Sequence, residues 1–385
     1  MAKEKKYKII IAAGGTGGHI FPAIALAKKF TLDGHKVVIA ATGNELEKKI
    51  FSDHYIKIKY FKSRIKGSSS IKKFFLSFRK NKEIKSYLER NEPDLILGMG
   101  GYASSEFCLA AERKACIIIH EQNSIAGRTN RFLVINRRAN AAIEGLPGSF
   151  TWFSKFMMKS PDDIVYLGNP VRDEILNIEK KVRSFPDKLK KPRIFIMGGS
   201  QGARSINMNT PKAISLLIKN LPIEVIHDSG DNDFESVKKQ YLELGIDAKV
   251  ASFNSNIENA YEWADLLIGR AGAMTISEAS AIGLPSILIP FPYAMDNHQW
   301  FNAKFLENKG GALIIKDKDL KPEVLANKIQ SVFNLEGKLE SMSEAAFDMN
   351  FVAATENIVN FCYKIIEKHH ISHLNGDYQN QTSWD

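Results

Sequence analysis

The chain has 385 residues, of which 44% are hydrophobic and 25% charged, and a formal net charge of +10 at pH 7. This length predicts about two domains, and the composition is that of a globular protein, not of a disordered or collagen-like chain. The three cysteines, Cys108, Cys116 and Cys362, are widely spaced, which argues against a disulfide framework or a cysteine metal site and favours a reducing compartment.

Short β-branched runs alternate with helical patterns along most of the chain, which predicts an α/β protein with parallel sheets covered on both faces. The apolar run at residues 9–13 is shorter than a signal peptide needs, and none approaches the length of a membrane span. The strand candidates in chain order are KIIIAA, KVVIAA, DLILGMG, ACIIIH, IVYLG, PRIFIMGG, IEVIHDSG, AKVASF, DLLIGR and PSILIP.

The first strand candidate ends in a glycine turn, residues 14–18 (GGTGG), and His19 follows directly. Glycine permits a tight turn and a close approach of backbone N–H groups, and the helix that begins here adds unpaired donors and a positive dipole end. The turn therefore predicts a seat for a phosphate or an oxyanion, the alternative being a turn used only for packing. The spacing fits neither GxGxxG nor a P-loop, which disfavours a dinucleotide oxidoreductase.

Positive charge is concentrated in residues 57–85, where Glu83 is the only acid. One interpretation is a core stripe with a solvated lysine face, and the other is a membrane-surface helix that meets anionic lipid. Nucleic acid is disfavoured because no nucleic-acid-binding motif occurs elsewhere in the chain. The apolar residues that share one face of a helix starting near Ser70 are Ile71, Phe74, Phe75 and Phe78.

The glycine motif recurs after the strand candidate PRIFIMGG, at residues 198–202 (GGSQG), so we predict two similar α/β domains, 1–167 and 168–347. A further turn follows Gly269, and Glu278 lies about one helical turn inside the next helix. A helix N-terminus can hold a diphosphate while a carboxylate accepts the hydroxyls of a ribose, although Glu278 could instead complement the helix dipole. The polar tail, residues 370–385, is predicted to be disordered.

Two DxD triplets, at residues 231–233 and 317–319, invite a metal-dependent mechanism. Aspartate and asparagine are also the commonest residues of loops and helix caps, and we interpret both triplets in that way. The sequence therefore predicts neither a metal site nor a cofactor.

Seven motifs occur in order between Gly14 and Ala303, and through them the chain resembles the MurG family of bacterial glucosaminyltransferases (glycosyltransferase family 28). The resemblance implies a GT-B fold, in which two Rossmann-like domains face each other across a cleft. It also implies that the helix at residues 348–369 returns to the first domain. The motifs are GGTGGHIFPAIALA, GMGGYASS, HEQNSIAGRTNR, GNPVR, GGSQGARSIN, ADLLIGRAGAMTISEASAIGLPSILIPFP and DNHQWFNA.

The resemblance implies that the second domain binds UDP-GlcNAc and the first domain binds the acceptor. Ser200 would contact the diphosphate, Glu278 the ribose and Gln299 the GlcNAc. The remaining donor-binding positions of the second domain would be Asn254, near the uracil, and Ala273, Met274 and Thr275, at the helix start. The residues expected to close over the donor sugar from the other side are Thr16, Gly17, Gly18, Asn123 and Arg172.

His19 is the candidate general base, because an imidazole with a pKa near 6.5 can remove a proton at neutral pH. The alternative for His19 is that it only caps or orients the turn. Glu121 is the second candidate, although a carboxylate in that role would need a raised pKa.

The activity implied by the resemblance is inverting transfer of GlcNAc from UDP-GlcNAc to the 4-hydroxyl of undecaprenyl-linked MurNAc-pentapeptide. This is the lipid I to lipid II step of peptidoglycan synthesis, on which cell shape and division depend. We expect a peripheral enzyme on the cytoplasmic face of the bacterial inner membrane, in contact with anionic lipid and with other cell-wall synthesis proteins. The alternatives are a GT-B enzyme with another acceptor, a UDP-sugar epimerase, and a non-catalytic nucleotide-sugar-binding or nucleic-acid-binding protein.

Overall fold

The computed structural model describes residues 5–15, 17–52, 54–62, 81–111, 115–136, 138–150, 164–178, 191–199, 202–254 and 256–381, without the side chains of Tyr102 and of 373–381. The chain divides into two compact units, one of Met1–Pro170 with Ala353–Asp385 and the other of Val171–Val352. Each unit contains an all-parallel sheet with helices packed on it, so the predicted α/β class with two Rossmann-like domains is confirmed.

The first unit is built on a seven-stranded parallel sheet with the order β3-β2-β1-β4-β5-β6-β7. Its strands are β1 Lys8–Ala12, β2 Lys36–Ala41, β3 Ile58–Tyr60, β4 Leu95–Gly98, β5 Cys116–Glu121, β6 Ala141–Glu144 and β7 Ile164–Tyr166. Its helices are α1 Gly17–Leu32, α2 Glu45–Phe51, α3 Lys82–Asn91, α4 Gly101–Ala110 and α5 Arg128–Ile135.

The central strand β1 has apolar residues on both of its faces because helices cover the sheet from both sides. Ile9 and Ile11 belong to one buried cluster, which includes Phe30 of α1. Ile10, which points to the opposite face, belongs to a second cluster with Phe107 of α4. This pattern explains why the strand reads as a continuous β-branched run instead of an alternating one.

The second unit has a six-stranded parallel sheet with the order β10-β9-β8-β11-β12-β13. Its strands are β8 Arg193–Met197, β9 Glu224–Asp228, β10 Ala248–Ala251, β11 Leu266–Gly269, β12 Ser286–Leu288 and β13 Ala312–Ile314. Its helices are α6 Asp173–Leu176, α7 Arg204–Leu217, α8 Phe234–Glu243, α9 Ile257–Trp263, α10 Ala273–Ala281, α11 His298–Lys309, α12 Pro322–Phe333, α13 Lys338–Ala346 and α14 Met349–Val352.

The last helix, α15 Ala354–Gln381, packs on the first unit although it follows the second in sequence. Ile358, Cys362 and Ile366 recur at four-residue spacing and are fully buried in the cluster that contains Ile9. The sequence suggested a disordered tail from residue 370, but the structure continues the helix to Gln381. Extending a helix adds one backbone hydrogen bond per residue and needs no burial, so the polarity of this segment does not end it.

In each sheet the strand order reverses direction beside the first strand of the unit, between β1 and β4 and between β8 and β11. In open α/β sheets, ligands bind outside the carboxyl ends of the strands at such a switch point. One glycine motif follows β1 and the other follows β8, so both lie where the topology predicts a site.

Candidate functional site

The glycine turn after β1 leads into α1, with Gly15 in the left-handed region at φ 103°. His19 lies in the first turn of α1 and is half-buried. Its ring packs closely against the turn between β4 and α4. The approach is so close that a side-chain Cβ added to Gly100 would lie only 2.7 Å from the Nε2 of His19. The two turns at this switch point therefore hold the imidazole between them. Gly17 and Gly18 begin α1, and Thr16 lies outside the described residues.

The turn after β1 is held by Glu47 of α2, a residue that the sequence analysis did not single out. The N–H of Gly15 donates to its Oε1 over 2.7 Å. The same carboxylate accepts hydrogen bonds from Thr42, Gly43 and Asn44. The signal that could have identified it is the capping box Asn44-x-x-Glu47, in which both reciprocal hydrogen bonds are present.

Glu121, at the end of β5, organises the loop that follows it. Its side chain is 5% exposed and accepts from both nitrogens of Asn123, from the N–H of Gly127 and from Nδ2 of Asn130. Both carboxylate oxygens are therefore engaged in ordering the HEQN loop, which gives no support to Glu121 as the base.

The neighbouring His120 is fully buried, with Nε2 3.1 Å from the carbonyl of Gly168. Burial lowers the pKa of His120 to about 4, so this imidazole is neutral at physiological pH.

In the second unit, Glu278 lies inside α10 and is 2% exposed. Nη2 and Nε of Arg172 lie 2.7 and 2.9 Å from its Oε1. Burial lowers the pKa of Arg172, but the Glu278 carboxylate outweighs that effect and the net shift is upward. The resemblance implied that Arg172 closes over the donor sugar, and the structure places its guanidinium on Glu278, in the second unit.

The buried Tyr261 of α9 adds a hydroxyl to the surroundings of Glu278. Burial and then the charge of Glu278 raise the pKa of Tyr261 well above its ordinary value. The phenol therefore stays protonated and can donate a hydrogen bond to the carboxylate. Arg172 and Tyr261 together orient the Glu278 carboxylate, as a group that binds hydroxyl groups requires.

The start of α10 exposes backbone donors beside this carboxylate. Its N-cap is Gly272, which makes no side-chain cap, and residues 273–275 (Ala273, Met274 and Thr275) form the first helical positions. Arg270, two residues earlier, is held by Asp317 at 2.5 Å and by the hydroxyl of Ser205 at 2.9 Å. A helix N-terminus flanked by a fixed guanidinium is an arrangement that favours a diphosphate.

The glycine turn after β8 uses its glycines for close packing. A Cβ on Gly198 would lie 2.2 Å from the backbone nitrogen of Ala203, and one on Gly202 would lie 2.2 Å from the carbonyl oxygen of Ser229. Gly199 and Gly202 have φ angles of 85° and 74°. Ser200, the expected diphosphate contact, lies outside the described residues.

The two remaining donor-side candidates are half-buried and hydrogen-bonded. Oδ1 of Asn254 accepts from the N–H of Asn256, and Oε1 of Gln299 accepts from the N–H of Phe291 over 2.9 Å. The second contact fixes the orientation of the Gln299 amide, so that its NH₂ end is the end available to donate to a sugar.

Both DxD triplets are tied to neighbouring side chains. Asp233 accepts from Asn207 at 2.9 Å and pairs with Arg204 at 3.2 Å. Asp317 bridges Arg270 and Ser205. Within the described part of the chain, no group of three or more histidine, cysteine, aspartate or glutamate side chains is arranged to hold a metal ion.

Asp228, at the carboxyl end of β9, is a second residue that sequence reasoning missed. Its Oδ1 is buried and has no hydrogen-bond partner. It pairs in register with Met197, the last residue of β8 before the second glycine turn. Burial raises the pKa of Asp228 to about 7, which makes it a titrating group beside the candidate donor site.

The expected membrane face, Ile71, Phe74, Phe75 and Phe78, lies outside the described residues. Among the helices in the described ranges, none combines the length and hydrophobicity that crossing a bilayer would require.

Two family models match the chain: the N-terminal domain of glycosyltransferase family 28 over residues 9–142 and its C-terminal domain over residues 193–358. Curated relatives named UDP-N-acetylglucosamine--N-acetylmuramyl-(pentapeptide) pyrophosphoryl-undecaprenol N-acetylglucosamine transferase occur in Coxiella burnetii and Marinobacter nauticus. They are 37% and 34% identical, covering 93% and 94% of this chain and 98% of each relative.

Solved structures give the same result at the level of the fold. The crystal structure of Acinetobacter baumannii MurG matches with a TM-score of 0.74 and 29% identity, over 93% of this chain and 99% of that chain. UDP-GlcNAc 2-epimerase from Neisseria meningitidis matches with a TM-score of 0.63 but only 16% identity, over 93% of this chain and 100% of that one. At that identity the second match supports the fold alone.

Proposed function

The chain belongs to glycosyltransferase family 28, and from that premise we propose that it transfers GlcNAc from UDP-GlcNAc to undecaprenyl-linked MurNAc-pentapeptide. The observation that carries this proposal is the 37% identity, over 93% of the chain, to enzymes named for that reaction. The product is the lipid-linked disaccharide-pentapeptide of peptidoglycan synthesis. A UDP-sugar epimerase activity is supported by the fold alone.

The second unit supplies the donor half of the reaction. Glu278, held by Arg172, accepts hydrogen bonds from the ribose hydroxyls, and the amide NH₂ of Gln299 donates a hydrogen bond to the GlcNAc. The N-terminus of α10, with Ser200 of the second glycine turn, receives the diphosphate. As the bond from C1 of GlcNAc to the β-phosphate oxygen breaks, UDP gains negative charge, which fixed N–H dipoles stabilise without reorganisation.

The first unit supplies the acceptor half. The 4-hydroxyl oxygen of the muramyl sugar attacks C1 from the face opposite UDP, which inverts the anomeric centre. Its proton passes to the imidazole of His19, which is held in place by the turn at Gly100. Glu121 serves as the support of the HEQN loop, in which Asn123 lies.

We propose that amide dipoles and Arg270, and not a bound cation, carry the charge of the departing UDP. The support is that Asp233 and Asp317 are already paired with arginines. Turnover should therefore be unchanged in EDTA, and strict dependence on magnesium or manganese would contradict this part of the mechanism.

The lipid-linked acceptor requires access to a membrane, so we propose a peripheral enzyme at the cytoplasmic face of the bacterial inner membrane, near other cell-wall synthesis proteins. The basic segment with Phe75 and Phe78 would meet anionic lipid. Replacing both phenylalanines with serine should weaken binding to anionic liposomes and leave UDP-GlcNAc binding intact. Unchanged liposome binding would assign these side chains to the core.

The activity itself is tested by incubating the full chain with UDP-GlcNAc and a lipid-linked muramyl-pentapeptide, while following UDP release and the disaccharide product. Acceptor-dependent release of UDP supports the proposal. Formation of an epimerised sugar without acceptor would indicate an epimerase, and binding of UDP-GlcNAc without any turnover would indicate a non-catalytic binding protein.

A further inference from the structure

The carboxylate of Glu47 accepts hydrogen bonds from the first glycine turn and from the loop that precedes α2. The side chain has 0% exposure and accepts three backbone N–H groups, from Gly15, Gly43 and Asn44, at 2.7, 2.5 and 3.2 Å. It also accepts from the hydroxyl of Thr42 at 2.8 Å and from Nδ2 of Asn44 at 3.0 Å. Backbone N–H groups converging on a carboxylate are the same device that holds phosphates in other glycine turns.

The charge of this carboxylate has no cationic counterpart among the described residues, since no lysine or arginine there forms an ion pair with Glu47. The carboxylate is instead surrounded by neutral hydrogen-bond donors.

A continuous set of close contacts connects this carboxylate to His19. A Cβ on Gly14 would lie 2.6 Å from Oε1 of Glu47, and one on Gly101 would lie 2.2 Å from the carbonyl oxygen of Gly14. The adjacent Gly100 packs against the His19 ring. Displacement of Glu47 would therefore move the turn and, with it, the backbone that supports the imidazole.

We propose that Glu47 is a positioning residue that serves as the built-in anion of the first glycine turn. It holds that turn in the shape that presents His19 to an uncharged sugar hydroxyl. The role assigned to His19 rests on the proposed function, whereas the built-in anion does not.

The test uses three variants of the full chain: Glu47→Ala, Glu47→Gln and, as the matched control on the same helix, Glu45→Ala. The side chain of Glu45 is 92% exposed and pairs with Lys48 on the surface. Thermal unfolding is measured in sodium formate and in sodium chloride at equal ionic strength, and kcat and KM for UDP-GlcNAc are measured with the lipid-linked acceptor.

In Glu47→Ala the vacated donors should take up formate, which is a single carboxylate. The melting temperature of this variant should then rise in formate relative to chloride, and the wild type and Glu45→Ala should show no such difference. Its kcat should fall about 10–100-fold, as for other supporting residues, with KM for UDP-GlcNAc unchanged, and formate should restore part of kcat. Equal effects of formate and chloride on a folded Glu47→Ala would overturn the proposal.

Glu47→Gln keeps the shape of the side chain but replaces one acceptor oxygen by a donor and removes the charge. We expect kcat to fall while KM for UDP-GlcNAc stays at the wild-type value. If Glu47→Ala does not fold, this variant decides, and an unchanged kcat would overturn the proposal. If the wild type transfers no GlcNAc, the proposed function fails, while the formate-dependent melting temperature of Glu47→Ala still tests the built-in anion.

Discussion

The two glycine turns have nearly the same sequence and the same place in their sheets, yet their surroundings differ in charge. The turn after β1 surrounds the buried carboxylate of Glu47, which takes the N–H of Gly15. The turn after β8 packs against the backbone at Ala203 and Ser229 and has arginine–aspartate pairs, such as Arg270–Asp317, nearby in its unit. A glycine turn therefore specifies a backbone shape, and neighbouring side chains decide which ligand that shape accepts.

Carboxylates near the two turns show the same contrast. Glu47 accepts hydrogen bonds from four residues, whereas the buried Oδ1 of Asp228 has no partner. The first is a permanent part of its turn, and the second is a titratable group whose ionisation is opposed by burial.

The largest effect is expected from the chemical role assigned to the first unit. His19→Ala should lower kcat by about 10²–10⁴-fold, the usual contribution of a general base, because the variant lacks the group assigned to accept the proton. KM for UDP-GlcNAc should not change, since the donor is assigned to the second unit. Steady-state kinetics with the lipid-linked acceptor measures both values, and full-rate turnover would remove His19 from the chemistry.

The next largest effect is expected on donor binding in the second unit. Glu278→Gln should raise KM for UDP-GlcNAc by about 10–100-fold, equivalent to about 1–3 kcal/mol, because Arg172 loses its charged partner and the ribose loses an anionic acceptor. Calorimetric titration with UDP measures the corresponding loss of affinity. The exposed Glu262 provides the control, Glu262→Gln, which should bind normally. Unaltered binding by Glu278→Gln would move the ribose site elsewhere.

A matched pair of glycine substitutions compares the turns directly. In Gly198→Ala the new methyl group meets a backbone nitrogen, so the turn must shift at a cost of about 1–3 kcal/mol, and donor binding should weaken. In Gly14→Ala it meets the end of the Glu47 side chain, so kcat should fall while UDP-GlcNAc binding persists. If UDP-GlcNAc binding is lost in both variants, or in neither, the two turns do not differ in their contribution to donor binding.

The smallest effect is expected at Asp228, and it concerns the pH dependence of folding stability. Its folded-state pKa of about 7 lies above the ordinary value near 4, so the wild type loses stability as pH rises from about 4 to about 7. Asp228→Asn should therefore gain stability over the wild type across that window, reaching about 1–2 kcal/mol above pH 7 for this partly exposed group.

Denaturant unfolding at several pH values measures the effect of Asp228. The control is Asp231→Asn, at an exposed position of the following loop. A stability difference between Asp228→Asn and the wild type that does not change with pH would show that Asp228 does not titrate in this window.

Most of the fold was predictable because its long β-branched strands are continuous apolar runs. The strands that the sequence analysis missed are β3, β6 and β13, which are short, and their sequences, IKY, AAIE and ALI, carry little pattern. β3 is largely exposed, and β6 depends on alanines that become buried only when β5 and β7 lie beside it. Such strands form because neighbouring strands pair with them, so they are hard to predict from the local sequence.

The candidate site was predictable where one motif contains both the turn and its functional group. His19 directly follows the first glycine turn, and Glu278 lies one helical turn beyond the start of α10. Glu47 and Arg172 were missed in the roles that the structure gives them, because their partners are 32 and 106 residues away in the sequence. In the structure one aspartate of each DxD triplet, Asp233 and Asp317, pairs with an arginine.

The amino-acid sequence by itself determined where the chain turns, since β-branched runs, glycines and helix starts act over a few residues through sterics and backbone hydrogen bonds. The tertiary structure alone decided what each turn carries. Parallel pairing brings the end of β1 beside the end of β2, and only then does the carboxylate of Glu47 reach the N–H of Gly15. Electrostatic interactions depend on distance in space, and in a parallel sheet the groups that meet at one edge come from distant parts of the chain.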